Sequence, residues 1–223
     1  MARLTLLELR TDLRDLLEEY QSAGSVTDTI LNRLLNRSQR ELTNLVDSII
    51  PGYYETTEPI TTTAGTSIYE LPDDWRSTSR IENENGGPVK PYISDNFTDT
   101  SNTTQEVAEF FWLKGRYIWL YPTPSATGKT YTHYYYKDAT SMSSDSSYAD
   151  FPGGGFEQLI VYKAALKHAL AMGAMEGYQG LKIEYDEKLR EFKQYNWQKY
   201  FPDRVGVAKW DFGQGFINTN GTR

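Results

Sequence analysis

The chain has 223 residues, a mass of 25.6 kDa, a net charge of −7 and no cysteine, which excludes a disulfide framework, a thiol nucleophile and a cysteine metal site. Its mean hydropathy is −0.61 and no run of about 18 apolar residues occurs, which excludes a membrane-spanning helix. Leu, Ile, Val and Phe together number only 47, but 17 Tyr and 5 Trp restore the buriable surface of a globular protein. The acid is concentrated: residues 51–155 carry 7 basic and 14 acidic side chains, whereas residues 156–223 carry 10 and 8. A basic footprint for nucleic acid is missing. The first residues enter a helical pattern at once, without the apolar stretch of a signal peptide. The expectation is a soluble protein made in the cytoplasm.

Residues 4–50 read as two helices. Thr5-Leu6-Leu7-Glu8 has the form of a capping box, in which the hydroxyl accepts from the third amide and the carboxylate reaches back. Leu6, Leu9, Leu13, Leu16, Leu17 and Tyr20 then recur at helical spacing, with Gly24 as a stop. A second helix starts between Ser25 and Asp28. It carries Leu31, Leu34, Leu35, Leu42, Leu45, Val46 and Ile49 on one stripe and ends at Pro51-Gly52.

Residues 53–152 hold 16 of the 23 Thr and 11 of the 17 Tyr, residue types that suit a pleated surface. Strands are expected at Glu55–Thr63, Ser67–Leu71, Ser79–Glu84, Val89–Ile93, Glu109–Leu113, Tyr117–Tyr121 and Thr130–Tyr136. Lys114-Gly115-Arg116 is a tight hairpin turn, and the short connections point to antiparallel pairing. Asp95–Gln105 and Ser141–Ser147 read as polar, mobile loops. From Phe156 to Met175 the chain is apolar on nearly all sides, the mark of a buried helix, which Glu176-Gly177 breaks. Tyr178, Leu181, Tyr185, Leu189 and Phe192 form one face of a last helix, with Lys182–Asp186 and Glu184–Lys188 as pairs on its wet side. Residues 201–223 show no period, yet Trp210, Phe212, Phe216 and Ile217 are costly to leave in water and predict docking, either on the chain's own body or on another chain.

The expected fold is α+β: an antiparallel helical bundle formed by both ends of the chain, with an inserted antiparallel β-rich domain and an extended C-terminal tail. The boundaries are 1–52 and 153–200 for the helical body, 53–152 for the insertion and 201–223 for the tail.

Chemistry-bearing motifs are few. His133 lies in a strand pattern and His168 on the third helix, without metal-ligand spacing. Gly128-Lys129-Thr130 resembles the end of a phosphate loop, but Thr123 stands where the first glycine belongs and a β tract follows, so it reads as a turn. Carboxylates are numerous, but no spacing selects a catalytic pair. No catalytic, cofactor-binding or metal-ligating residue is expected, and no cofactor.

Three motifs add up in their order. Tyr69-Glu-Leu-Pro-Asp-Asp-Trp75 follows the Thr-rich Thr61–Ser67 with its Ala64-Gly65 turn. Tyr117-Ile-Trp-Leu-Tyr-Pro-Thr-Pro124 closes a hairpin, and Tyr134-Tyr-Tyr-Lys-Asp138 leads towards Phe151-Pro152. With the helical pairs before and after, and with Asn32 and Asn36 in the second helix, residues 4–200 resemble the head-to-tail adaptor (connector, or tubular neck) proteins of tailed bacteriophages. The resemblance implies a non-enzymatic virion protein in the neck, forming a twelvefold ring beneath the portal protein with neighbouring adaptor subunits. Genome DNA would pass through without specific binding, and the β-rich insertion would face the tail as a platform for nozzle or stopper proteins. Trp210, Phe212, Phe216 and Ile217 would grip the portal. Asp73, Asp74, Glu82 and Glu84 are candidates for an acidic channel or tail-facing surface, since DNA that slides must not be held by Lys or Arg. The alternatives are a β-rich carbohydrate-binding or glycosidase module, or another tail-completion protein.

Overall fold

A computed structural model describes residues 3–20, 26–92, 104–153 and 155–200. Helix α1, Leu6–Tyr20, starts on the expected capping box: the Thr5 N–H donates to Glu8 Oε2 (2.8 Å) and the Glu8 N–H to Thr5 Oγ1 (3.3 Å). Helix α2, Asp28–Ile49, buries Leu31, Leu35, Leu42 and Val46, the centre of the expected stripe. Strands follow at β1 Glu55–Thr61, β2 Ile68–Glu70, β3 Trp75–Glu82, β4 Pro88–Pro91, β5 Thr104–Gln105, β6 Phe110–Lys114, β7 Tyr117–Tyr121, β8 Thr123–Pro124 and β9 Thr130–Lys137. Helices α3, Gln158–Met172, and α4, Met175–Tyr200, complete the chain.

Seven strands form one sheet in the order β1-β9-β3-β4-β6-β7-β2, and β5 pairs separately with β8. The sheet is mixed rather than antiparallel, because β4 runs parallel to β6, as β5 does to β8. Residues 92–109 separate β4 from β6, a connection long enough for the crossover a parallel pair needs. The sheet closes around Ile60, Ile81, Phe111, Ile118, Leu120 and Tyr131.

The helices bury a second, larger cluster, in which α3 packs against α1, α2 and α4. The expected antiparallel helical bundle built from both ends of the chain does not hold. The dominant element is the seven-stranded mixed sheet, and the helical faces are covered in good part by non-helical chain: Ile50, Tyr54, Ala139, Met142, Ala149, Phe151 and Phe156 all enter the same core. An apolar stripe reports that a helix face is buried, not what buries it.

The third helix also ends earlier than expected. Gly173, not Gly177, takes the left-handed conformation (φ 69°). Its N–H reaches Leu170 O (3.3 Å) and that of Ala174 reaches Ala169 O (3.0 Å), closing the helix end, while Gly177 continues inside α4. Of the expected wet-side pairs on α4, Lys182 meets Asp186, and Lys188 pairs with Glu191 (3.1 Å).

Candidate assembly surfaces

The four acidic residues singled out from the sequence lie at the two ends of β3. Asp73 and Asp74 precede β3 and Glu82 and Glu84 lie at its other end, roughly 25 Å away at about 3.3 Å per residue. Each also has a local partner. Asp73 takes the Arg116 guanidinium (2.6 Å), and Asp74 accepts the Tyr135 hydroxyl (2.9 Å). Glu82 takes Arg80 (2.7 Å), which holds its carboxyl below the usual range, and the same guanidinium reaches Glu55 (3.2 Å) and lies over the Tyr134 ring. Glu84 takes Lys129 (2.6 Å), which also reaches Glu106 (3.1 Å). The Gly128-Lys129-Thr130 segment is therefore a turn entering β9, with Lys129 committed to carboxylates and its N–H to Thr62 Oγ1.

His133 is buried on β9. Its Nε2 lies 2.9 Å from the Thr78 hydroxyl and its ring stacks on Tyr135 at 5.0 Å. Burial pushes its imidazole down to about 4. Among the described residues no three His, Asp or Glu side chains are placed to hold a metal ion.

Asn36 holds the chain after β9 in place. Its Oδ1 accepts the Met142 N–H (2.7 Å) and its Nδ2 donates to Met142 O (3.0 Å), as a paired strand would. Gln39, which the sequence reading did not single out, repeats the device one turn on, donating to Thr140 O (2.8 Å) and accepting from the Asp150 N–H (3.2 Å). Its signal was available: a long amide in line with Leu35, Leu42 and Val46 on a buried face. Buried Arg10 adds Asp145 (3.0 Å) and Asn32 (3.4 Å). Asp145 O and Ser147 O accept the first amides of α1. The Ser141–Ser147 segment, expected to be mobile, is thus tied to both leading helices.

Two exposed apolar patches stand out. Leu170, Met172 and Met175 surround the α3–α4 turn, at 55–69% exposure, and Ile183 follows two turns along α4. Ile68, Leu113 and Tyr117 are exposed around the β6–β7 hairpin, beside the stacked pair Trp112 and Trp119 (5.5 Å). A cleft of about 170 Å³ opens between β1 and β2, with Glu58, Ile60, Tyr69, Glu70, Pro72 and His133 in its lining. The proposed docking anchors Trp210, Phe212, Phe216 and Ile217 lie outside the described residues.

Comparison with known families decides the class. The model of the SU10 adaptor protein family matches residues 4–205. The chain belongs to that family. A search of the curated proteins gave no match. SU10 adaptor proteins are phage head-to-tail adaptors, so the chain is a structural component of a virion that associates in general terms with portal and tail proteins. The SU10 adaptor family is structural and in general non-enzymatic, which speaks against the glycosidase reading. Its match stops at residue 205, before the four aromatic and aliphatic anchors. No described helix is long and apolar enough to cross a membrane.

Proposed function

We propose that this adaptor forms a twelvefold ring beneath the portal, extends the DNA channel and carries the tail. The family match over residues 4–205 supports this reading more than any other observation. The separation of the apolar residues into a helical core and a sheet core supports a division of labour, with helices towards the ring and portal and the sheet towards nozzle or stopper proteins. The acid excess of residues 51–155 suits a surface past which DNA slides, and synthesis in the host cytoplasm precedes incorporation into the neck.

Portal binding is assigned to the tail. Residues 201–223 reach up to about 75 Å when extended, enough to run along a neighbouring subunit. Trp210, Phe212, Phe216 and Ile217 are its anchors, because buried aromatics dominate interface energetics. Deleting residues 205–223 is expected to leave circular dichroism and melting temperature nearly unchanged, since the two cores lie in the chain before it. The same deletion is expected to abolish co-sedimentation with portal and the formation of twelvefold particles on it, read by electron microscopy. Normal portal binding by the truncated protein, or its unfolding, overturns this assignment.

A further inference from the structure

We infer that the cleft between β1 and β2 is a docking slot for an extended segment of a partner protein that carries a Lys or Arg side chain. The two strands are the opposite edges of the seven-stranded sheet, yet residues of both line one cleft. The sheet curls until its edges face each other without pairing.

Each edge turns backbone groups towards that gap. The Thr62 N–H bonds Lys129 O and the Lys137 N–H bonds Tyr54 O, which fixes the phase of the β1–β9 ladder. In that phase the backbone groups of Thr57 and Thr61 face away from β9, whereas the outward N–H of Glu55 is already taken by Gly52 O (3.1 Å). Pro59 occupies the remaining outward position without an N–H, so an added strand is stopped there and stays short. On β2, the bonds from Leu120 N–H to Ser67 O and from Leu71 N–H to Arg116 O turn the backbone of Ile68 and Glu70 outward in the same way.

Charge selects the occupant. Elsewhere in the β-rich region, Glu55, Asp73, Glu82, Glu84 and Glu106 are each paired with a cation of the chain itself. Glu58 and Glu70 make no ion pair among the described residues, and both line the cleft. His133 behind them is neutral near pH 7 and brings no competing positive charge. A basic side chain with an aliphatic stem matches all of this: the stem lies against Ile60 and Pro72, the head between two carboxylates, and the Tyr69 ring supplies a face for the cation. The added backbone joins the outward groups of β1, in the manner of strand addition to a sheet edge. An acidic segment would meet two uncompensated carboxylates.

This inference goes beyond the ring and portal reading and is tested on the free full-length chain, so either can fail alone. The probe is the hexapeptide acetyl-Thr-Arg-Val-Arg-Val-Thr-amide, compared with the same peptide carrying Glu for Arg, by calorimetry and by amide chemical shifts. The expected result is saturable binding of the basic peptide only, with shifts at Thr57, Thr61 and Glu70. The double substitution E58Q/E70Q should weaken it at least about tenfold, while the charge-matched E109Q/E187Q retains full affinity. No saturable binding, equal binding of the acidic peptide, or equal losses in the two double variants overturns the proposal.

Discussion

Partnership decides what each ionisable side chain in the sheet does, and His133 shows it most clearly. Its ordinary value is near 6.5, and burial lowers it to about 4 in the fold. Between those two pH values the unfolded chain holds a proton that the folded chain does not, so this residue makes stability rise with pH across that window. Below about 4 both states are protonated and the slope ends. His133→Gln can still hydrogen-bond the Thr78 hydroxyl but loses the stack on Tyr135, a loss of about 1 kcal/mol at pH 7. Urea denaturation at a series of pH values is expected to show a flatter dependence between pH 6.5 and 4 in the variant. An unchanged slope would show that other groups set it. The histidine's cross-strand setting is legible in the sequence, because Tyr131-Thr-His-Tyr alternates at strand period. Its partner Thr78 is not, since it lies 55 residues away on β3.

The clamp from α2 to the segment after β9 carries the prediction at the scale of elements. Gln39→Ala leaves the Thr140 carbonyl and the Asp150 N–H without their partner, and Asn36→Ala does the same to both groups of Met142. Each substitution should cost about 1–3 kcal/mol in urea denaturation. Hydrogen exchange should quicken at Asp150 in the first variant and at Met142 in the second. Unchanged protection at both amides would mean that packing alone holds the segment. The start of α1 and most strands are readable from the sequence because capping boxes, alternation and Gly turns are local chemistry. The clamp is not, since it joins residues 106 apart, and neither is the parallel pairing of β4 with β6. Alternation reports which face is buried but carries no direction of the neighbouring strand. The earlier end of α3 has a similar cause: Gly173 and Gly177 offer the same conformational freedom, and only the surrounding packing selects one.

On the scale of the molecule, the surplus of acid remains after the local pairs are counted, for the whole chain carries −7. The protein is therefore expected not to retain duplex DNA on a filter at about 0.15 M salt. Tight, salt-sensitive retention would contradict the proposed role as a wall past which DNA slides. The packing of α1 and α2 on α3 has a consequence in time as well as in space. α3 begins at Gln158, about 110 residues after α2 ends at Ile49. At roughly 5–20 residues per second of synthesis, the Leu stripes of the first two helices wait on the order of 5–20 s for the surface that covers them. During that interval the nascent chain offers its most apolar faces to whatever is near the ribosome. A faster or slower decoding of residues 50–157 should then change the soluble fraction without changing a single contact in the finished fold, and co-expression of host chaperones that shield such faces should raise it.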